Sequence, residues 1–303
     1  MFDEIQLKTG QDDQGRRLDR ILRKALPDYP LSLIHRLLRQ GLVSVNGKPE
    51  KNPGKQVDLD TIIGIKLKFT VVNHKKNKVY IDENSLPPIL FRGSGIIIFN
   101  KPSGVKVHGP KSLDSLVKNW LSEKLPASLS FKPGPLHRLD MPSSGAIAFS
   151  ESLKGAQLFT ALLKGQKIKK TYLAIVEGKL TEPAVWKDEL VHDKPLKKTF
   201  VADGKDAITS VKPFAFSDEY SLVELQIKTG RTHQIRAQAA FHGHPLAGDL
   251  KYGGKHFSSF FLHAWKLEFP EQDYGFPKEI IAPLPEQFQK KINSLFPDFN
   301  NAI

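Results

Sequence analysis

The first 70 residues carry a hydrophobic pattern that predicts two short helices and a hairpin. Apolar residues recur at helical spacing over residues 18–26 and again over residues 31–38, with many basic residues at the positions between. A Pro-Asp-Tyr-Pro segment separates the two helices, and Gly41 ends the second one. Residues 43–49 then alternate into an Asn-Gly turn, which is typical of a β-hairpin. The pattern predicts a small α/β unit.

The remainder of the chain mixes short apolar strands irregularly with helices. Strand patterns cover residues 96–99, 105–108, 146–149, 172–176 and 223–227, and helical patterns cover residues 113–121, 151–164 and 233–242. Ser112 is the expected N-cap of the first of these helices and Thr232 that of the last, where Arg236 is expected on the outer face. Because strands and helices do not alternate regularly, we predict an α+β fold with a largely antiparallel mixed sheet flanked by helices.

Changes in pattern divide the chain into four parts. Residues 70–90 lose clear periodicity and carry a basic run and a Pro pair, which is typical of a linker between domains. We therefore predict a lead-in over residues 1–15, a small domain over residues 16–70, a linker over residues 71–89 and a larger domain over residues 90–303.

The positive charge of the chain is concentrated in the small domain. The whole sequence holds 45 Lys and Arg against 32 Asp and Glu, a net charge of +13, which favours a polyanionic partner. Residues 16–55 alone hold ten Lys and Arg against three Asp and Glu, an excess of seven. Because a solvated helix face usually mixes both signs, we favour nucleic-acid binding over a plain solvated surface.

The two predicted helices, followed by "GLVSVNGKP", are similar to the S-four-type RNA-binding domain over about residues 15–70. This resemblance implies RNA as the class of ligand, although such modules occur in many RNA-handling proteins. We predict RNA contacts from basic residues of this unit, namely Arg16, Arg17, Arg20, Arg36, Arg39 and Lys48.

Composition narrows the remaining possibilities. The chain has no Cys, which excludes disulfides, thiolate metal sites and a Cys nucleophile. No apolar run approaches the roughly 20 residues that span a bilayer. The first six residues include two acidic side chains and lack the apolar core of a secretory signal, so we expect a cytoplasmic protein.

A loop over residues 134–145 places one carboxylate, Asp140, close to Arg138. Pro135, Pro142 and Gly145 exclude a regular helix here, so the carboxylate lies on a constrained loop between strand-like segments. Loops on a rigid scaffold commonly present catalytic groups. On this segment alone, a catalytic site and a surface salt bridge are equally good interpretations.

Two further segments of the larger domain combine polar and basic residues. One ends in Tyr172, where an apolar strand begins, and alone it is more often packing than chemistry. The other, residues 228–236, contains Arg231 after a glycine in a predicted turn, which by itself is typical of a solvated charge. Four histidines invite a metal hypothesis, but no His-Glu-x-x-His pattern accompanies them, so we predict no metal; they are His233, His242, His244 and His263.

Taken together, these segments resemble the RluA-type family of RNA pseudouridine synthases. The matching runs are "PLHRLDMPSSG", "KKTYLAIVEG" and "KTGRTHQIRAQAAFHGHPLAGDLKYGG", in this order. The run "IIIFNKPSGVKVHG" is similar to the start of that catalytic domain, and "FLHAWKLEF" (residues 261–269) is similar to its closing strand. The resemblance covers about residues 90–270, whereas residues 271–303 match nothing that assigns them a role.

The resemblance implies a role for four residues. Asp140 is expected to be the essential carboxylate and Arg231 its ion-pair partner. Tyr172 is expected to stack against the target base and is a candidate for proton transfer at the ring carbon, and Arg138 to reach into the RNA as the uridine flips out. The implied reaction breaks the base–sugar nitrogen bond, turns the base and rejoins the sugar to a ring carbon. Nothing is oxidised and no water is consumed, so we expect neither a cofactor nor a metal.

We therefore predict an RNA pseudouridine synthase, a monomer by its resemblance, that acts on large-subunit ribosomal RNA. The same reaction on transfer RNA stays open, as does a non-catalytic RNA-binding or ribosome-assembly factor. The presence of Asp140, Tyr172 and Arg231 favours the enzyme over the binding factor. A glycosidase is disfavoured, because such enzymes usually need two carboxylates and no second one is evident.

Overall fold

A computed structural model of the chain describes residues 3–67, 86–271 and 274–299. The predicted linker over residues 71–89 therefore lies largely outside the described residues. The N-terminal part of the chain forms a small domain with two helices and a four-stranded antiparallel sheet, in the spatial order β1-β4-β2-β3. Its elements are β1 (Asp3–Lys8), α1 (Leu18–Ala25), α2 (Leu31–Arg39), β2 (Val43–Val45), β3 (Lys48–Pro49) and β4 (Ile62–Leu67).

Hydrophobic residues of both helices form the core of the small domain. Leu18 and Ile21 of α1 and Ile34 of α2 pack against Ile63 and Ile65 of β4, and all five are buried. The predicted helix–helix–hairpin order is confirmed. The predicted lead-in also contributes, since it contains β1, which pairs with β4 along its whole length. Only two apolar residues alternate in this strand, which is too short a pattern to recognise in the sequence.

The larger domain is built on one extended sheet, with the described strands in the order β11-β10-β12-β13-β9-β14-β8-β6-β5, β15 beside β14 and β7 beside β8. Its elements are β5 (Ile89–Gly93), β6 (Ile96–Lys101), α3 (Leu113–Lys124), β7 (Gly134–Pro135), β8 (Ser144–Ser150), α4 (Leu153–Lys164), β9 (Lys169–Glu177), β10 (Ala184–Asp193), β11 (Lys198–Val201), β12 (Lys205–Phe216), β13 (Tyr220–Ile227), α5 (Gln234–Phe241), β14 (Leu262–Glu268), β15 (Glu279–Ile281) and α6 (Glu286–Leu295).

The pairing of these strands confirms the predicted α+β class. Neighbouring described strands are antiparallel except for β14 and β8, which run parallel. The apolar run of β6 is explained by helices on both faces of the sheet: Ile97 packs with residues of α3, whereas Ile96 and Ile98 pack with residues of α4. Ser112 caps α3 as predicted, because its side chain accepts a hydrogen bond from the Ser115 amide.

Three predictions of local structure were wrong or incomplete. Residues 105–108 form no strand, and the loop they occupy instead continues to α3. The long strands β10 and β12 were not predicted, since both alternate between buried and exposed positions without a strong apolar run. The helix near residue 236 begins after His233 rather than Thr232. Within the described part of the chain, no helix is long and apolar enough to cross a membrane.

Candidate active site

Asp140 lies on the loop between β7 and β8, as its flanking prolines predicted. The amide of Ser143 donates to the backbone carbonyl of Asp140 at 3.2 Å, which closes a turn around the carboxylate. Gly145 follows with φ +111°, a backbone conformation that favours glycine, and an added Cβ would lie 2.2 Å from the Ala264 carbonyl oxygen. The turn is therefore held at the point where β8 and β14 approach each other closely.

The end of β6 and the loop that follows it, residues 102–105, contact the Asp140 loop. The fully buried ammonium of Lys101 donates to the carbonyls of Pro102 at 2.9 Å, Val105 at 2.8 Å and Met141 at 3.3 Å. The Gly104 amide also donates to Met141, at 2.9 Å. Burial lowers the pKa of Lys101 to about 8, while the negative charge of Asp140 opposes this effect. One cation thus binds backbone carbonyls of both loops.

The arginine that contacts Asp140 is Arg236. Its Nη1 lies 3.3 Å from Asp140 Oδ2, and its Nε and Nη2 each lie 2.7 Å from the two oxygens of Asp249. The prediction that Arg236 lies on the outer face of its helix was wrong, since the residue is only 6% exposed. Asp249 is 2% exposed, so a buried bidentate pair fixes the guanidinium that reaches the Asp140 loop.

Arg231, predicted to pair with Asp140, lies in the exposed turn before α5. Its Nε donates to the backbone carbonyl of Asp206 at 2.9 Å, and its amide donates to the side chain of Gln234 at 3.0 Å. The pairing assignment is therefore corrected from Arg231 to Arg236. The physical reason is the turn itself, because it ends in a helix that carries Arg236 inward and leaves Arg231 at the rim of the cleft.

His233 contributes a second contact beside the carboxylate. Its φ is +52°, and its Nε2 lies 3.7 Å from Asp140 Oδ2. Its Nδ1 lies 2.8 Å from the hydroxyl of Tyr252, which accepts a hydrogen bond from the Thr199 amide. This arrangement favours donation from Tyr252 to Nδ1 and a proton on Nε2, facing Asp140. Burial lowers the pKa of His233, although Asp140 opposes this effect, so a neutral imidazole is favoured.

Tyr172 presents a neutral phenol to the same cleft. It lies on β9, where it pairs with Leu225 of β13 and Ala264 of β14, and its side chain is 8% exposed. Burial, and secondarily the charge of Asp140, raise the pKa of Tyr172 far above neutrality. The hydroxyl therefore keeps its proton at physiological pH and can donate it to a neighbouring acceptor.

The structure brings all four residues of the predicted site to one cleft. Asp140, Tyr172, Arg138 and Arg231 line it together with His233. Arg138 is exposed, and no described residue forms an ion pair with its guanidinium. A wider pocket of about 590 Å³ adjoins this cleft, and the basic side chains that line it are Lys106, His108, Arg138, His192, Lys197, His233, Arg236 and Lys251. The Lys and Arg side chains of this rim surround one carboxylate with positive charge, which suits a polyanionic partner.

The remaining histidines of the metal hypothesis hold the fold together. His263 is buried, with Nδ1 2.8 Å from Ser144 Oγ and Nε2 3.0 Å from the Ala282 carbonyl oxygen. Burial lowers its pKa to about 4, so it is neutral. His242 stacks on Trp186, and His244 contacts a backbone carbonyl. Among the described residues no group of three metal-ligating side chains is present.

The predicted RNA contacts of the small domain divide into two groups. Four are exposed and form no ion pair with a described residue: Arg20, Arg36, Arg39 and Lys48. The other two have partners within the protein, because Arg17 forms an ion pair with Asp19 at 2.8 Å and Arg16 donates to Ser130 Oγ of the larger domain at 2.8 Å. Their availability to RNA is therefore lower than the sequence suggested.

Comparisons with known proteins match both domains. A family model described as "RNA pseudouridylate synthase" matches residues 95–241, and one described as "S4 domain" matches residues 16–63. A relative in Pasteurella multocida, named ribosomal large subunit pseudouridine synthase C, is 31% identical over 95% of this chain and 93% of its own length. A protein of the same name in Vibrio vulnificus is 30% identical over 94% of each chain.

Solved structures resemble the larger part of the chain. Human RNA pseudouridylate synthase domain containing 4 shares 22% identity with a TM-score of 0.58, over 68% of this chain and 92% of that one. Human RNA pseudouridylate synthase domain containing 1 also shares 22% identity, with a TM-score of 0.56, over 72% of this chain and 91% of that one. At this level of identity the likeness shows a common fold.

Proposed function

Because this chain belongs to the RluA-type family of RNA pseudouridine synthases, isomerases that act on RNA, we propose that it converts specific uridines of large-subunit ribosomal RNA to pseudouridine. The observation that carries the proposal is a single carboxylate, Asp140, that Arg236 contacts in a cleft beside a neutral Tyr172. A binding protein has no need of this arrangement.

In the proposed reaction Asp140 is the essential carboxylate. It acts as a nucleophile or as a base at the sugar while the bond between the base nitrogen and the sugar breaks. The contact with Arg236 orients the carboxylate. The detached uracil turns and its ring carbon bonds to the sugar, which displaces Asp140 if the carboxylate had bonded there. That carbon then loses its proton, and the nitrogen released from the sugar takes one up. We propose that Tyr172, which lines the same cleft, supports the base and takes part in this proton movement.

The target base must leave its helix before it can react, because the atoms involved are inaccessible inside a stacked duplex. Exposed Arg138 at the mouth of the cleft is suited to occupy the space that the flipped nucleotide vacates. The basic rim of the adjoining pocket is suited to hold the flanking phosphates. We propose that Arg231 contributes to this rim and not to the orientation of Asp140.

The names of the relatives support ribosomal RNA over transfer RNA as the substrate, since they are described as ribosomal large subunit enzymes. The S4 domain supports binding of structured RNA. We also propose that the protein works as a monomer in the cytoplasm, with neither a membrane nor a metal as partner.

The test compares pseudouridine formation by the wild-type protein and the Asp140→Ala variant on large-subunit ribosomal RNA and on transfer RNA. We expect the wild-type protein to modify ribosomal RNA and the variant to form no product while its RNA affinity changes little. Asp203→Ala, which removes an exposed carboxylate elsewhere in the same domain, is the matched control. Turnover by the Asp140 variant would refute the proposed role, and product in transfer RNA alone would refute the proposed substrate.

A further inference from the structure

The lead-in carries a turn that connects the two domains. This docking turn, the 3₁₀ turn Gln11–Asp13, leaves the small domain between β1 and α1 and reaches the segment over residues 127–130 of the larger domain. Contact is close there, because a Cβ added at Gly10 would lie 1.9 Å from the Ala127 carbonyl oxygen. The side chain of Leu129, from the larger domain, packs against the hydrophobic core of the small one.

Asp13 is the centre of this contact. Its carboxylate is fully buried and accepts hydrogen bonds at 2.9 Å from Ser128 Oγ and from the amides of Leu129 and Ser130. The hydroxyl of Ser130 also donates to it, as does the amide of Gly10 from the small domain. Burial alone would raise the pKa of Asp13, but these hydrogen-bond donors together lower it. The buried group is therefore an ionised carboxylate whose charge is stabilised by protein hydrogen bonds.

Two further contacts join the same surfaces. The Asp12 carboxylate accepts from the Leu153 amide at 2.8 Å, at the first turn of α4, where a negative charge is favourable. Arg16 Nη1 donates to Ser130 Oγ at 2.8 Å, so this hydroxyl is held from both sides. Each contact places a charged side chain of one domain on polar groups of the other.

A groove lies at the junction of the two docked domains. This basic groove is lined by Arg16, Arg20, Arg23, Lys24 and Tyr29 of the small domain and by Lys132 of the larger one. No acidic side chain lines it, and its volume is about 730 Å³. Lys132 lies two positions after Ser130, whose amide Asp13 binds, so the docking turn sets the position of Lys132 relative to the arginines of α1.

We propose that Asp12 and Asp13 dock the two domains before RNA binds, and that the basic groove at their junction binds the phosphate backbone of RNA flanking the target uridine. The proposal rests on the proposed function for the identity of the RNA. A groove assembled in the free protein needs no ordering of the domains on binding, so more of its binding energy is available to hold the RNA.

The absence of Cys allows docking to be measured in the full-length protein. Cysteines introduced at two exposed positions, as Asp58→Cys and Glu182→Cys, carry a donor and an acceptor dye. Without RNA we expect one narrow distribution of energy transfer. Asp13→Ala should broaden it, as should Ser130→Ala, which removes the contact from the other domain, whereas Asp203→Ala should not. A free protein whose distribution is already as broad as that of the Asp13 variant would overturn the docking.

The groove is tested by the salt dependence of binding to a large-subunit ribosomal RNA fragment. Arg23→Ala and Lys132→Ala should each reduce the slope of log affinity against log salt by about 0.7–0.9, the loss of one phosphate contact. Lys51→Ala, an exposed lysine of the small domain outside the groove, should leave the slope unchanged. Equal slopes in all three variants would refute the groove. Pseudouridine formation measured in the same proteins distinguishes this outcome from failure of the proposed function, since it depends on Asp140.

Discussion

Replacing Arg236 with Gln tests whether one side chain both stabilises the fold and orients the reactive carboxylate. The change removes two contacts of 2.7 Å with Asp249 and one of 3.3 Å with Asp140. Because Asp249 is buried, it loses its only ion-pair partner among the described residues. Removing one member of a buried pair costs about 3–5 kcal/mol, so we expect a fall of that size in the free energy of unfolding.

The loss of activity has a separate cause. Without Arg236, the one remaining contact of the Asp140 carboxylate with a charged or ionisable side chain, among the described residues, is the 3.7 Å contact with His233. Misplacement of a reactive group by about 1 Å can reduce a rate roughly 10²-fold, and we expect at least this loss in the rate of a single turnover. Urea unfolding gives the stability. Release of a tritium label from the ring carbon of uridine gives the rate, since pseudouridine formation displaces that hydrogen.

The double variant Arg236→Gln/Asp249→Asn separates the two effects. It removes both charges of the buried pair, so no carboxylate remains uncompensated there. We expect it to be more stable than Arg236→Gln, with a coupling energy of about 0.5–3 kcal/mol in the double-mutant cycle, yet no more active. A double variant as unstable as the single one would refute the stabilising role of the pair. Wild-type turnover in either variant would refute the orienting role of Arg236.

Three other predictions test the site and its surroundings. Tyr172→Phe keeps the buried ring and removes the phenol, so we expect slower turnover at unchanged RNA affinity; an unchanged rate would limit Tyr172 to packing and stacking. Gly145→Ala should lower the free energy of unfolding far more than Gly104→Ala in urea titrations, because both have positive φ but only Gly145 has an atom within 4 Å of the added Cβ. Burial lowers the pKa of His263 from 6.5 to about 4. The neutral imidazole therefore contributes its full stability above pH 6.5, and this stability is lost as the pH falls toward 4. In His263→Gln, the free energy of unfolding should fall less steeply over this range, by up to about 1.4 kcal/mol per pH unit.

The sequence predicted those parts of the site that depend on local rules. Pro135, Pro142 and Gly145 excluded a helix around Asp140, and the loop between two strands was confirmed. The apolar run over residues 96–99 correctly indicated a strand, which is β6. Such features follow from backbone restrictions and burial of short segments, so a single sequence contains them.

The ion pair of Asp140 could not be predicted in this way. Arg231 and Arg236 are equally basic and only five positions apart, and their order in the chain does not say which one faces inward. The composition of α5 held a usable signal. Ala237, Ala239 and Ala240 place small apolar side chains on several faces of the helix, which is typical of a buried helix. An arginine in such a helix must be paired, and its partner Asp249 lies 13 positions away.

The same reasoning explains why the docking turn was not recognised. Asp12 and Asp13 stand among other polar residues, so their sequence is that of an exposed loop. Their partners are serine and backbone groups more than 110 positions away, and these have no recognisable pattern of their own. Buried carboxylates that bind amides are visible only when the fold is known.

Arg236 and the docking turn both fix positions in advance: Arg236 that of one side chain, and the docking turn that of a whole domain. The reaction needs one carboxylate to meet one sugar, and a buried pair with Asp249 fixes the guanidinium that contacts Asp140. The reaction also needs the flanking RNA to be held so that this sugar reaches Asp140. A small domain that moved freely would hold the RNA in that position only part of the time. Because the contacts of Asp13 fix the basic groove relative to the catalytic domain, the distance between bound phosphates and Asp140 becomes a property of the protein. Which uridine is modified therefore depends on the distance between the basic groove and the Asp140 cleft, as well as on contacts with the base.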